Sequence, residues 1–465
     1  MLFNSFLFLF VFLPVVLAGS SLIRVPRQRI IFWTLASWIF YGCAGPWFVL
    51  LMMTSTGLDF LLAQRIARST SPRARRAYVL VSLGGGLGLL GFFKYCNFFL
   101  ETAHTVAAAL HTLIGLPAAP LTTALAIALP AGISFYTFET IRYTIDVYRR
   151  HIPPEPDFWY FACFVSLFPH LIAGPIIQPG DLLPQLHALA PRQQWRLQHG
   201  LFLFAGGLCK KVLLADRLAA SIDPLLVRTT DLTTPQAWLA MGGFAMQIYF
   251  DFSGYTDMAR GLGALLGIEF PVNFNSPYRA LNPSDFWRRW HMTLSTWLRD
   301  YLYIPLGGNQ QGPLRTCRNL LITMLLGGLW HGAGWNFVLW GGVHGLALSV
   351  YHQCGDAWDS LPVPLQRAGM FLFVVLTWVP FRLHSVHDIL ACYRAMFAFN
   401  YTADLPWRLL VVGGAATAVA LGRRRNSNEI NWQRLTPMTA TALGLATSMA
   451  LLYLNASTRF LYFQF

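Results

Sequence analysis

Histidine is the side chain whose charge changes near neutral pH. Two of the twelve in this chain stand in surroundings suited to proton transfer. His331 lies within "MLLGGLWHGAGWNFVLWGGVHG", residues 324–345. No Asp, Glu, Lys or Arg occurs between Asn319 and His352. An ionisable group at hydrocarbon depth is costly to keep there, so it is a functional candidate by default. Gly332 and Gly334 follow it at once and are expected to break the helix and open a cavity. Glycines 327, 328, 341, 342 and 345 thin the flanking helices, which lets backbones approach closely. In such a place a neutral imidazole can take a proton from a hydroxyl, the first step of general base catalysis. His344 shares the run but sits beside Gly345, which suits helix packing.

The second histidine is His291, in "NPSDFWRRWHMTLSTWLRDYLYIPLGG", residues 282–308. The pattern predicts one amphipathic helix that starts with Ser284 as N-cap and stops at Pro305 and the Gly307–Gly308 pair. Trp287, Trp290, Leu294, Trp297, Leu298 and Tyr301 share its aromatic face. Arg288, His291, Ser295 and Arg299, spaced three, four and four apart, share the basic face. One reading is an interfacial helix lying in the headgroups. The sharper one has Arg288 and Arg299 receiving a phosphorylated ligand from the cytoplasm, with His291 facing it. Ser295, and Trp330 and Asn336 near His331, complete the candidate substrate contacts. A third polar island, "QIYFDFSGYTDMARG", places Gln247, Asp251 and Tyr255 on one helix face. Asp251 and Asp257 are expected in structural pairing, with an arginine or as orienters of a histidine.

These residues need a scaffold, and composition names its class. The chain has 465 residues, 55% hydrophobic and 12% charged, with a mean hydropathy of +0.47. Soluble domains carry about 25% charged residues. Apolar runs near spanning length recur at Leu2 to Leu22, Ile30 to Met53, Tyr78 to Leu100, Leu121 to Phe138, Trp238 to Phe250, Leu320 to Val350, Met370 to Pro380, Leu409 to Leu421 and Met438 to Leu454. The expectation is an all-α polytopic membrane protein, one membrane domain over residues 1–465, embedded in the lipid bilayer. The net charge of +14 comes mostly from arginines near span ends. Arg24–Arg29, Arg65–Arg76 and Arg423–Arg425 mark cytoplasmic loops rather than nucleic-acid contacts. The first two clusters share a side only if the chain crosses twice between them, with a turn at Gly45-Pro46. The first run is read as a retained span, because basic residues follow it instead of preceding it.

Other chemistries find no motif. The seven cysteines are scattered without a C-x-x-C, so neither a disulfide framework nor a zinc site is expected. No nucleophile elbow and no H-E-x-x-H occurs. "HSVHD", His384 to Asp388, is too short a pattern to carry an assignment. No bound cofactor or metal is implied.

The longer blocks carry a resemblance. "GISFYTFETIRYTIDVYRR", "FPHLIAGPIIQPGDLLPQL", "GLCKKVLLADRLA", the stretch from Gln247 to Asn309 and "NLLITMLLGGLWHGAGWNFVLWGGVHG" are similar, block for block, to the membrane-bound O-acyltransferase family and, within it, to the alginate O-acetyltransferase branch. The likeness is densest over residues 132–345. It implies about ten to twelve transmembrane helices, with re-entrant and interfacial helices around a central tunnel. It makes His331, in the W-H-G motif, the catalytic histidine and His291 the second, upstream position. It implies acetyl-CoA as cytoplasmic donor, with an acceptor arriving from the other side. Partners would be a periplasmic or membrane-anchored acetyltransferase and polysaccharide synthesis machinery at a bacterial inner membrane. "AGPIIQP" departs from the branch, where a basic residue is expected near Gln178, and leaves the acceptor open. The competing classes are D-alanyl or other acyl transfer to an envelope polymer, a transporter that makes no bonds, and a scaffold.

Overall fold

The computed structural model describes residues 1–114, 125, 127–189, 194–401, 407–422, 436–456 and 460–461; among them every regular element is a helix. A π-helical stretch, Phe8–Phe12, leads into α1 (Leu13–Leu22). Helices α2 (Pro26–Gly42) and α3 (Pro46–Arg68) form a hairpin about residues 43–45, and α4 (Pro72–Leu90) passes through a π turn, Gly91–Tyr95, into α5 (Cys96–Ile114). Then come α6 (Ile133–Tyr148), α7 (Phe158–Ser166), α8 (Pro179–His187), α9 (Gln194–Cys209), α10 (Asp216–Leu226) and the long α11 (Thr234–Leu266). The second half holds α12 (Pro283–Trp287), α13 (Met292–Leu298), α14 (Pro313–His331), α15 (Trp335–Asp359), α16 (Val363–Arg382), α17 (Val386–Phe397), α18 (Trp407–Leu421) and α19 (Pro437–Leu452). Proline opens many of these helices, since its fixed φ suits the first turn and its missing N–H is not needed there.

The α2–α3 hairpin turns where Gly45-Pro46 predicts and brings Arg24–Arg29 and Arg65–Arg68 to one end. Both helices of the hairpin dock on one loop at that end: Arg27 pairs with Asp157 at 2.6 Å, and the Gln64 amide donates to the Glu155 carbonyl at 2.6 Å. Among the described residues, Pro46–Arg68, the continuous Pro72–Ile114 stretch and Val363–Arg382 are long and apolar enough to cross a membrane. Phe8–Leu22, Trp407–Leu421 and Pro437–Leu452 are shorter apolar helices. The span expected from Leu121 to Phe138 is corrected. Residues 127–130 are irregular and α6 begins only at Ile133, after Pro130 and a left-handed Gly132 (φ 76°). Residues 121–124 and 126, and the Arg423–Arg425 cluster, lie outside the described residues.

Two buried apolar clusters meet along α11, which gives Phe244 and Phe250 to one and Tyr255 and Met258 to the other. Tyr255 stacks on Phe3 at 4.7 Å between ring centroids and meets Phe460 edge-on at 4.5 Å.

The element that matters most for the site is the antiparallel pair α14–α15. A Cβ on Gly328 would lie 2.2 Å from the Phe337 carbonyl oxygen, and one on Gly341 would lie 2.2 Å from that of Met324. The two backbones touch there, as the glycine pattern predicts. A Cβ on Gly342 would meet only the Leu325 side chain, at 3.4 Å. Gly341→Ala therefore forces the pair apart and is expected to cost about 1–3 kcal/mol, the usual range for overpacking. Gly342→Ala should fall within about 0.5 kcal/mol of wild type. Thermal melts of the two purified variants compare them directly.

Candidate active site

His331 is the last residue of α14. The chain then runs extended through Gly332 and Gly334 and restarts as α15 at Trp335. The break falls where the sequence places it, and the imidazole is held in an aromatic box. Trp330, Trp340 and Phe381 lie 5.0, 5.1 and 5.5 Å away between ring centroids. The residue is only 5% exposed. A cavity of about 120 Å³ opens beside it, lined by Lys94, Ser134, Phe135, Ile172, Trp330 and the Leu129–Ile133 segment. Lys94, Ser134 and Phe135 carry no signal in a pattern reading: each belongs to an apolar stretch distant in sequence, and only folding brings them to His331.

The second histidine departs from its expected setting. No single helix spans Ser284 to Tyr303. Asn282, not Ser284, caps α12, its side chain accepting from the Asp285 amide at 2.7 Å. The helix stops at Trp287, and His291 takes a left-handed conformation (φ 43°, ψ 54°) before α13 begins. Such a backbone costs about 1–3 kcal/mol in a non-glycine residue and persists where neighbours hold it. Here the holder is Asn273, which pattern reading misses. The Asn273 carbonyl oxygen accepts from the Met292 amide at 2.9 Å. The Asn273 Oδ1 accepts from the Thr293 amide at 3.1 Å and from its hydroxyl at 3.0 Å. Because the Thr293 N–H must face an acceptor, the orientation of the Asn273 amide is fixed. His291 Nδ1, 3.2 Å from the same oxygen, is therefore the ring nitrogen that carries the proton, and Nε2 of the neutral ring carries the lone pair.

The break turns His291 inward. It is fully buried, edge-on to Phe252 at 4.8 Å, and its ring centroid is 6.4 Å from that of His331. The two histidines thus meet, with Trp330 edge-on to both. Arg288, Ser295 and Arg299 stay together, but not with His291. They line a separate pocket of about 570 Å³ with Trp287, Met292 and Met324, alongside the middle of α14. Arg288 bonds the Ser284 hydroxyl at 2.9 Å, and Arg299 bonds Asp300 at 2.7 Å. Both guanidinium groups are largely exposed. The shared basic face with His291 is thereby corrected: the wheel assumed a continuous helix, and the left-handed residue interrupts it.

The remaining candidates divide. The Asn336 amide donates to the Pro380 carbonyl at 3.0 Å, near the end of α16. His344 lies 3.1 Å from the Thr377 hydroxyl among Phe286, Trp287 and Trp340, a packing role as its glycine neighbour suggests. Asp251 pairs with Lys211 at 2.6 Å, and Lys211 with Asp216 at 2.8 Å, all three side chains at most 3% exposed. Asp251 Oδ2 also accepts from the Leu461 amide at 2.8 Å. Asp257 pairs with Lys210 at 2.6 Å and approaches Arg260 at 3.9 Å. The pairing is structural, as expected, but chiefly lysine supplies it.

A helical membrane body with two histidines brought together beside a break in a glycine-thinned helix pair defines a membrane-embedded protein with a buried histidine pair. The comparisons with known proteins place that class. The model of the membrane-bound O-acyltransferase family matches residues 122–382, and this chain belongs to that family. It is 42% identical over 402 residues to the probable alginate O-acetylase AlgI of Pseudomonas aeruginosa, covering 86% of this chain and 75% of that protein. It is 36% identical over 436 residues to the peptidoglycan O-acetyltransferase of Helicobacter pylori, covering 86% and 80%. The teichoic acid D-alanyltransferase of Bacillus subtilis is more distant, 26% identical over 259 residues, covering 53% of this chain and 65% of that protein.

The lysine-centred pairing yields a test of its own. Removing one partner of a buried ion pair leaves the other charge uncompensated, at about 3–5 kcal/mol. Lys211→Met removes the cation shared by Asp216 and Asp251 and is expected to accumulate poorly and melt early. Ser295→Ala, at the wall of an open pocket, should match wild type in both respects. Quantitative blotting of membrane fractions and melting of the purified proteins measure the difference.

Proposed function

We propose that the chain transfers an acetyl group from cytoplasmic acetyl-CoA toward a periplasmic polysaccharide such as alginate, at a bacterial inner membrane. The names of its relatives support acetyl as the group and an envelope polymer as the destination. The observation that carries the chemistry is the meeting of His331 and His291 at a buried helix break. In this reading His331 takes the proton of an acceptor hydroxyl. The hydroxyl oxygen attacks the thioester carbonyl, the C–S bond breaks, and the imidazolium returns its proton to the departing thiolate. Because Nε2 of His291 bears a lone pair, His291 acts by accepting: it steadies the acceptor hydroxyl or the imidazolium formed at His331. It does not polarise the thioester carbonyl. Arg288 and Arg299 suit the phosphates of coenzyme A, for which guanidinium geometry is well matched, and Ser295 lies on the same wall. Trp330 orders the space between the histidines. A separate periplasmic or membrane-anchored acetyltransferase would carry the group onward to the polymer.

The D-alanyltransferase relative favours a second reading, in which another acyl group travels the same route to an envelope polymer. Purified protein in liposomes separates the two. Labelled acetyl-CoA should be consumed with acceptor present in the first reading, and left intact in the second.

Three further outcomes are expected. His331→Ala should accumulate near wild-type level and still bind donor, while its transfer rate falls by about 10²–10⁴, the usual loss for a missing base. His291→Ala should follow, with the smaller loss if it only steadies. A rate above about a tenth of wild type in His331→Ala would return the transporter and scaffold classes to contention. Replacing both Arg288 and Arg299 with Gln should raise KM for acetyl-CoA and leave protein level unchanged. An unaltered KM would reduce these arginines to headgroup anchors.

A further inference from the structure

The last four carbonyls of an α-helix have no partner within the helix, and a buried helix end has no water to replace them. At the end of α14 each is accounted for. The Gly328 carbonyl accepts from the Gly332 amide at 3.4 Å, and that of Leu329 from the Tyr95 hydroxyl at 2.8 Å. Those of Trp330 and His331 accept from the Lys94 ammonium, at 2.5 and 3.3 Å. The third contact of that ammonium is the Ser134 hydroxyl, at 3.4 Å. Lys94 and Tyr95 end the π turn Gly91–Tyr95 between α4 and α5, and π turns of this kind are frequent at functional sites. An ammonium is compact, with three donors on one atom. In its protonated form Lys94 also carries the charge that the negative end of a helix favours.

We propose that Lys94 is a positioning residue for catalysis, which fixes the last turn of α14 and thereby the direction in which His331 faces the small cavity. The assignment rests on the acetyl-transfer reading above for its kinetics, not for its geometry. Although Lys94 borders the small cavity, its three donors are committed to two carbonyls and a hydroxyl, so its action passes through the His331 backbone. A histidine at the very end of a helix has no following turn to hold it, and a misplacement of about 1 Å can cost about 10²-fold in rate.

The test uses the full-length protein in lipid nanodiscs, with two readouts. Lys94→Met keeps the length of the side chain and removes its donors and charge. Amide exchange over residues 329–334 should quicken by about tenfold or more, as expected when a buried acceptor loses its partner. The kcat should fall by about 10²-fold, while KM for acetyl-CoA stays within about twofold of wild type, because donor binding uses the other pocket. Lys94→Arg, which keeps charge and donors, should recover exchange protection and most of kcat. Wild-type exchange in Lys94→Met, an unchanged kcat, or an Arg variant as impaired as the Met one would each overturn the assignment. If Lys94→Met fails to accumulate, Lys94→Gln takes its place with the same split expected, and a Gln variant with wild-type kcat and exchange overturns it. A wild-type protein that consumes no acetyl-CoA would sink the acetyl-transfer reading, and the exchange measurement would still judge Lys94.

Discussion

A backbone carbonyl that is buried must be hydrogen-bonded, and an α-helix that ends inside a protein leaves several in need at once. The centre of this molecule is arranged around that requirement. Helix α14 stops at a buried His331 because α15 must turn back against it. The turn is possible because Gly328 and Gly341 let the backbones touch. The free carbonyl groups at the end of α14 are then met from outside the pair, by Lys94 and Tyr95, far away in sequence. The cavity beside His331 is the space that remains once these groups are satisfied.

The other histidine reaches the centre by a different route. His291 sits in a strained left-handed conformation between two short helices, and Asn273 holds it there with both its main-chain and side-chain oxygens. That one residue separates two jobs. Ahead of it and after it, Arg288, Ser295 and Arg299 face an open pocket of about 570 Å³. At it, the chain turns inward toward His331, which lines a cavity of about 120 Å³.

Much of this was legible in the residues. The uncharged run around His331, with Gly332 and Gly334, marked a helix break at hydrocarbon depth, and the break is there. The glycines at 328 and 341 marked a close helix pair, and the arginine clusters near Arg24 and Arg65 marked one end of a hairpin. What escaped had physical reasons. A helical wheel assigns faces by assuming continuous rotation, so a single left-handed residue moved His291 off the face it shared with Arg288. Asn273 lies in a loop with no periodicity to give it a direction. Lys94 stands alone in an apolar run, and its main partners are carbonyls, which leave no trace in a sequence. Asp251 and Asp257 were seen as a pairing site, but in a chain rich in arginine nothing marked Lys210 and Lys211 as the partners.

All three lysines of the chain lie in π turns, and two of them anchor a seal at the far side of α11. Lys211 bridges Asp216 and Asp251, and the Leu461 amide closes on the same Asp251. Next to it, Tyr255 is clasped between Phe3 and Phe460, residues separated by almost the whole length of the chain. Synthesis runs from one to the other. When the ribosome has delivered α11 and the pair α14–α15, the half of the clasp that Phe460 supplies does not yet exist. The histidines can meet while this corner of the core is still open, and the corner shuts only after the final helix has emerged. Both histidines thus belong to chain made before α15, whereas the clasp on Tyr255 waits for Phe460.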